Sequence, residues 1–329
     1  MVIQEILFVH RNPNVGFSIQ KVFGTITNEL SQNRKIENFF LPSQKATLFG
    51  ILQNGFSARV HCKEKHLIHL TGDSHYLLYF FEKNRISVTV HDVMYYTYLK
   101  GWKKKFWKWL YITSLQRARK VIFISEHVKK QVLKEISLDE SKLFVIPNPV
   151  SPSYKSSFKS FNQQKPRILH IGTLERKNLV NTIHALKDFP CDLRIIGKLD
   201  SITISLLERN KIEYSNAHGL SDEEIQREYE LCDVVNFPSK LEGFGMPIIE
   251  GQAIGRMVIT SNISPMKEVA GLGAILVNPF DIESIRAGYN LIMKEIEHRE
   301  RTIDLGIENV QKYQVDKIAE MYSSVLEEK

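Results

Sequence analysis

The segment Pro238–Gln252, PSKLEGFGMPIIEGQ, places two carboxylates, Glu242 and Glu250, around a glycine-rich turn. An ionised carboxylate only accepts hydrogen bonds, so two at one rim suit a ligand rich in hydroxyls. Glu242 lies in the turn and Glu250 in the helix that follows, so the two do not share one helical face. Between them, Gly243 and Gly245 flank Phe244; glycine lets the backbone turn tightly and approach a ligand. Pro247 reads as the first residue of a helix, where its missing N–H costs nothing. The start of that helix favours an anion through its unpaired N–H groups and its dipole. The run Asp233–Phe237, DVVNF, reads as the buried strand that feeds the turn. A plainer reading also fits: a strand-to-helix turn whose Glu250, in the first helical turn, complements the dipole.

A second constellation is Gly172-Thr173-Leu174-Glu175-Arg176-Lys177-Asn178, after the predicted strand Arg167–Ile171. Gly172 permits close approach, and Arg176 and Lys177 put two cations where a diphosphate would sit. Arginine forks onto phosphate oxygens and lysine supplies a point charge. The alternative is a solvated basic turn. His91 ends the β-branched strand Ile86–Val90, ISVTV, and a side chain there faces the crevice of a parallel sheet. Asp73 and His75 follow the strand Leu67–Leu70 and are candidates for an acceptor; equally, Asp73 reads as an N-cap and His75 as a surface residue. Gly16, in the loop HRNPNVGF after the first strand, stands where an α/β sheet presents ligands or makes a plain turn.

The positioning elements are strands alternating with helices. The first half offers strands at Ile3–Val9, Ile36–Leu41, Leu67–Leu70, Ile86–Val90, Lys120–Ile124 and Leu143–Ile146. A helix over Ile19–Leu30 is capped by Ser18, and one over Glu126–Ile136 by Ser125. Gln44–Arg59 has no clear period. Pro147–Ser153, dense in proline and serine, starts a linker. The second half predicts strands near Arg167–Ile171, Asp192–Ile196, Ile212–Tyr214, Asp233–Phe237, Met257–Thr260 and Ala274–Val277. Ser221–Glu224 starts a helix as a capping box. This alternation means parallel sheets covered by helices on both faces, an α/β class.

A chain of 329 residues, 43% hydrophobic, exceeds what one core absorbs, so two domains follow. Met1 leads straight into a strand pattern, without a signal peptide. No apolar run is long enough to span a bilayer. Cys62, Cys191 and Cys232 have no paired spacing and read as reduced thiols, in keeping with the cytoplasm. The net charge of +7 suits an anionic partner. Lys100–Tyr111, KGWKKKFWKWLY, spaces Trp102, Phe106, Trp109 and Leu110 helically among Lys103, Lys104, Lys105 and Lys108, with Trp107 off the stripe. That pattern fits either a helix in an anionic membrane interface or one packed on the core. No nucleic-acid module accompanies it.

The span Leu220–Phe280 resembles the donor half of the retaining glycosyltransferases of family 4, whose signature has the form EGFG-x-P-x-x-E. The resemblance is strong over residues 165–285 and looser over 65–150. It implies a GT-B fold: two Rossmann-like parallel-sheet domains facing each other across a cleft. Residues 1–150 would form the acceptor-binding domain and 151–304 the nucleotide-sugar-binding domain, with a helix of about 305–329 packing back on the first. By the same resemblance Glu250 holds the ribose hydroxyls, Glu242 faces the sugar and His91 helps orient it. Lys177, with Arg176, neutralises the leaving diphosphate. Gly172, Gly243, Phe244 and Gly245 approach the donor, and a glycine loop such as that of Gly16 nears donor phosphates and acceptor. Thr173 stands where the family usually has arginine, and the loop is one residue shorter than its commonest form.

The implied activity is metal-independent transfer of a hexose, with retention, from a nucleotide-diphosphate sugar to a glycan or lipid-linked acceptor, as in bacterial surface polysaccharide synthesis. No cofactor and no metal are expected. An enzyme peripheral to the inner face of the cell membrane fits the Trp/Lys stretch. Rival readings are an epimerase or phosphorylase of the same fold, and a catalytically inactive scaffold subunit, which Thr173 alone supports.

Overall fold

The computed structural model describes residues 5–15, 17–62 and 66–328. The chain divides into two compact units, Met1–Pro149 with Val315–Lys329, and Val150–Gln314.

The first unit runs β1 (Ile6–His10), α1 (Phe17–Leu30), β2 (Ile36–Phe40), α2 (Leu48–His61), β3 (Leu67–Leu70), β4 (Ile86–Val90), α3 (Met94–Tyr98), α4 (Gly101–Trp107), β5 (Val121–Phe123), α5 (Glu126–Leu133) and β6 (Leu143–Val145). Its strands form one parallel sheet in the order β2-β1-β3-β4-β5-β6. Strands β1, β3 and β4 are buried throughout, as expected of a sheet covered on both faces. Ser125 caps α5 as its sequence predicts, accepting from Val128 N. Ser18 does not cap α1, which already begins at Phe17.

Helix α2 fills the stretch without a clear period. Thr47 caps it, its hydroxyl accepting from Gly50 N at 3.2 Å. Gly55 gives the Phe80 ring its seat, for a Cβ there would lie 2.2 Å from Phe80 Cε1. The Trp/Lys stretch forms α4 and then a π-helical turn, Lys108–Ile112. Trp102, Phe106 and Trp109 are exposed, whereas Leu110 is buried. Trp107, off the stripe, stacks on Tyr111 with centroids 4.7 Å apart and on Tyr96 at 5.8 Å. The π-turn's wider spacing rephases the chain, so Leu110 packs inward while Trp102, Phe106 and Trp109 stay exposed.

The second unit runs β7 (Arg167–Ile171), α6 (Leu179–Ala185), β8 (Asp192–Ile196), α7 (Ser201–Arg209), β9 (Tyr214–Ala217), α8 (Asp222–Leu231), β10 (Val234–Phe237), α9 (Met246–Ile254), β11 (Met257–Ser261), α10 (Met266–Ala270), β12 (Ile275–Val277), α11 (Ile282–Lys294) and α12 (Ile296–Val310). Its parallel sheet has the order β12-β11-β10-β7-β8-β9. The chain builds outward from β7 through β8 and β9, then returns to β7's other side with β10. The order therefore reverses between β7 and β10, the point where such sheets bind ligands. Ser221 and Glu224 make the full capping box on α8. Helix α9 is apolar nearly all round and buried. Gly251 lets it approach β10 and β11; a Cβ there would lie 2.8 Å from Val235 Cγ2.

The closing helix expected over about 305–329 is two helices. Helix α12 gives way to a 3-10 turn, Gln311–Tyr313, and Gln314 is extended (φ −63°, ψ 142°). Helix α13 (Val315–Glu327) follows. The chain thus returns to the first unit at Val315 rather than near 305. Helix α13 lies on α1, and its buried Tyr322 reaches the Thr89 hydroxyl at 3.0 Å.

Candidate functional site

The loops after β7 and β10 meet at the reversal point of the second sheet. Gly172 ends β7 with φ +95°, and its N–H bonds Ile196 O at 2.7 Å. A side chain there would lie 2.9 Å from Lys177 Cγ, so the glycine makes room for the lysine. Glu175–Lys177 form a 3-10 turn. Asn178 follows at φ +68°, and its amide donates to Pro238 O and Pro279 O at 3.0 and 2.6 Å. Lys240 N bonds Arg176 O at 2.8 Å. These bonds lock the basic turn to the segment carrying Glu242.

Glu242 Oε1 accepts from Arg176 Nη1, Lys177 Nζ and Ser239 Oγ, each at 2.7 Å. All three side chains of the ion cluster are largely buried, at 26%, 15% and 10% exposure for Arg176, Lys177 and Glu242. Two cations on one carboxylate leave a net positive charge. Lys177 Nζ also stands over the Phe237 ring, 4.5 Å from its centroid. Burial lowers the Lys177 pKa from its usual value, Glu242 raises it, Arg176 lowers it and Glu250 raises it. The more distant carboxylate thus acts on the same ammonium. Glu242 is therefore not the open acceptor that its sequence suggests: one of its oxygens already serves three donors.

Gly245, at φ +121°, caps α9, a conformation that suits glycine. Pro247 is the second helical residue rather than the first, because the helix begins at Met246. Glu250 accordingly lies one residue further in, just past the first turn, and its Oε2 accepts from the Tyr229 hydroxyl at 2.5 Å. Gly243 and Phe244 are buried in the connecting bend, Phe244 edge-on to Tyr313 at 5.8 Å. Thr173 donates to Lys198 O at 2.8 Å and fills the space left by Gly197, where a Cβ would lie 2.8 Å from Thr173 Cγ2.

In the first unit, Asp73 follows β3 and His91 follows β4. Asp73 pairs with Arg11 at 2.9 Å and is not an N-cap; Ser74 precedes the 3-10 turn His75–Tyr79. His91 Nε2 donates to Thr71 O at 2.8 Å, which leaves Nδ1 as an acceptor in the neutral ring. Burial lowers its pKa, against the charge of Asp73. His75 is neither a surface residue nor an open ligand contact: it is 4% exposed, and its Nδ1 donates to Tyr111 O at 2.9 Å. Gly16 lies outside the described residues.

Sequence reasoning did not single out Tyr229, Ser239 or Arg11. Tyr229 reads as an ordinary core position of an amphipathic helix. Ser239 and Arg11 each sit one or two residues past a strand, the only local signal they carry. Among the described residues one group has metal-ligand spacing: Glu5, Glu37 and His66, with ligand atoms within 4.8 Å of one another. It lies at the amino-terminal edge of the first sheet, with Lys35 at 3.7 Å from Glu5. No helix among the described residues is long and apolar enough to cross a membrane.

Known proteins resemble both halves of the chain. Residues 154–308 match the family described as Glycosyl transferases group 1, and residues 36–154 match Glycosyltransferase Family 4. The chain is 28% identical to the O-antigen chain mannosyltransferase RfbU of Salmonella typhimurium, over 74% of this chain and 69% of that one. Its fold is similar to a sucrose-phosphate synthase from Thermosynechococcus elongatus, with a TM-score of 0.79 over 98% of both chains at 14% identity. It is also similar to Anabaena HepE, solved with UDP and glucose, with a TM-score of 0.75 over 98% of this chain and 99% of that one at 14% identity. With a glycosyltransferase family matched in each half and two parallel six-stranded sheets, the chain belongs to the GT-B glycosyltransferases of family 4, group 1.

Proposed function

We propose that the chain transfers a hexose, with mannose the first candidate, from a nucleoside-diphosphate sugar to a glycan or lipid-linked acceptor in surface polysaccharide synthesis. The observation that carries this reading is the ion cluster at the reversal point of the second sheet. Arg176 and Lys177 converge beside Gly172 with one charge left over, where a leaving diphosphate develops its own charge. Stabilising that charge is the main electrostatic task of such a transfer. The basic pair would do this without a metal. The name of the Salmonella relative supports mannose and an O-antigen-type product.

In this reading the diphosphate takes Arg176 and Lys177, and Glu250, braced by Tyr229, takes the ribose hydroxyls. Glu242, held by Ser239, faces the sugar. A carboxylate committed to three donors suits positioning rather than attack, so retention would follow from a front-face route in which the leaving phosphate accepts the acceptor's proton. His91 Nδ1 would accept from a sugar hydroxyl, and Asp73 would lie on the acceptor side. Helix α4 and the π-helical turn after it, lysine-rich with Trp102 and Trp109 exposed, would hold the enzyme on the inner face of the cell membrane.

The test is a thermal-shift panel of UDP, GDP, ADP, CMP and dTDP, with and without magnesium, on wild type and Glu250→Ala. A ligand at a hundred times its dissociation constant adds roughly 2.7 kcal/mol to stability. One diphosphate shifting wild type alone, equally with and without magnesium, is the expected result. A shift only with magnesium overturns metal independence, and an equal shift in Glu250→Ala overturns the ribose assignment. The anomeric configuration of the product, read by NMR, tests retention.

A further inference from the structure

The apolar surface of the first unit does not end at α4. Along α2, Leu48, Leu52, Phe56 and Val60 recur one helical turn apart and are 76%, 41%, 63% and 85% exposed, with Phe49 beside them at 77%. A helix in a folded unit normally turns such a ridge inward, and a large exposed apolar patch marks an interaction site.

This ridge is joined to the aromatic side chains of α4 by two consecutive residues. Phe80 seats on Gly55 and lies 6.2 Å from the Phe56 ring. Tyr79 stacks on Trp109 at 5.0 Å and donates its hydroxyl proton to Trp109 O at 2.7 Å. Phe106 continues the row, 6.0 Å from Trp109. A row of aromatic contacts through a short 3-10 turn therefore links the two helices.

We propose that α2 and α4 together form a single docking face for an anionic lipid bilayer, with α2 supplying apolar insertion and α4 supplying charge and an aromatic belt. The proposal rests on the membrane reading of α4 given above and adds a second helix to it. Charge complementarity selects the occupant. No aspartate or glutamate occurs from Asn38 to Lys63 or from Val93 to Ser125. Within those windows α4 and the residue before it carry Lys100, Lys103, Lys104 and Lys105, and α2 carries Arg59. Protein interfaces are depleted in lysine at their centres, whereas lysines next to tryptophan and tyrosine are what an anionic membrane interface draws in.

All three tryptophans of the chain, Trp102, Trp107 and Trp109, lie in this stretch, so intrinsic fluorescence reports contact directly. The experiment is flotation and fluorescence titration of the full chain with phosphatidylglycerol/phosphatidylcholine vesicles, and with phosphatidylcholine alone, at low salt. Wild type, Phe49→Ser/Val60→Ser on α2, Lys103→Gln/Lys105→Gln on α4, and Leu272→Ser/Phe280→Ser in the second unit are compared. Wild type should float with the anionic vesicles and shift its emission to the blue. The α2 pair should lower the partition coefficient roughly tenfold. The α4 pair should lower it about fivefold per lysine, and the second-unit pair should leave it unchanged.

An α2 pair that binds like wild type, while the α4 pair weakens binding, overturns the two-helix face and leaves the α4 reading standing. Wild type that fails to float overturns both. Lipid-free sedimentation that shows a dimer lost in the α2 pair overturns the bilayer in favour of a second copy of the chain. An undiminished nucleoside-diphosphate thermal shift in the α2 pair confirms that it is folded, and separates every one of these outcomes from failure of the transferase reading.

Discussion

Tyr229, fully buried on α8, donates its hydroxyl proton to Glu250 Oε2 at 2.5 Å. Burial, and then the Glu250 charge, raise the phenol's pKa well above its ordinary value, so Tyr229 keeps its proton and remains a donor. Tyr229→Phe keeps the ring and removes the bond. At about 0.5–1.5 kcal/mol for one hydrogen bond, nucleoside-diphosphate affinity should fall roughly two- to twelvefold. Calorimetric titration checks this, with inorganic pyrophosphate, which lacks the ribose, binding as in wild type.

Gly172→Ala meets both a left-handed backbone and the Lys177 side chain. The strain should cost on the order of 1–3 kcal/mol of stability, read as a lower urea midpoint. Because the contact is with Lys177 itself, pyrophosphate affinity should fall along with it.

Lys177 has a pKa below its usual 10.5, because burial outweighs the pull of Glu242. The folded protein therefore releases this proton at lower pH than the unfolded chain. Between the lowered value and 10.5 the unfolded state binds more protons, so stability rises with pH there. Diphosphate affinity should move in the opposite direction over the same window, as the ammonium is lost while Arg176 keeps its charge. Lys177→Met should lower affinity at neutral pH and abolish that alkaline fall, measured by titration from pH 7 to 10.5.

His69 is wholly enclosed between Phe8, Phe23 and Tyr322, its Nε2 bonded to the Thr89 hydroxyl at 2.9 Å. Burial, with His10 and His91 nearby, lowers its pKa from 6.5 to about 3. The unfolded chain takes up this proton below 6.5 and the folded one does not, so stability is lost as pH falls through that range. One such site contributes about 1.4 kcal/mol per pH unit. Urea unfolding between pH 7 and 4 should show the loss, and His69→Gln should flatten the slope by close to one proton.

Trp107→Ala should cost about 1–3 kcal/mol, because it removes the stacks of this half-buried ring on Tyr96 and Tyr111. Trp102→Ala, at a 73% exposed position, should change stability by under about 0.5 kcal/mol. Thermal midpoints of the two variants settle the contrast.

The features legible in the sequence are those written in neighbouring residues. The Ser221–Glu224 capping box, the β-branched strand before His91, the glycines flanking Phe244 and the adjacent Arg176 and Lys177 all announce their geometry locally. What was not legible depends on distant contacts. Gly55 weakens the helical signal of α2 because Phe80, far along the chain, needs the space. His75 looks like a strand-end polar residue, but Tyr111 draws it inward. Glu242 reads as an open carboxylate until folding brings Arg176 and Lys177 onto it. Tyr229 is indistinguishable from core until α9 sets Glu250 against its hydroxyl.

Helix α13 lies on α1 and places Tyr322 against His69 and Thr89, so the first unit is completed by residues translated after all of the second. On the ribosome, of these two units the one begun first is finished last. Until residues 315–327 emerge, α1 covers its side of the first sheet alone, and His69 lacks the Tyr322 ring on one side. A chain that stops short of those residues leaves the place of Tyr322 against His69 and Thr89 empty.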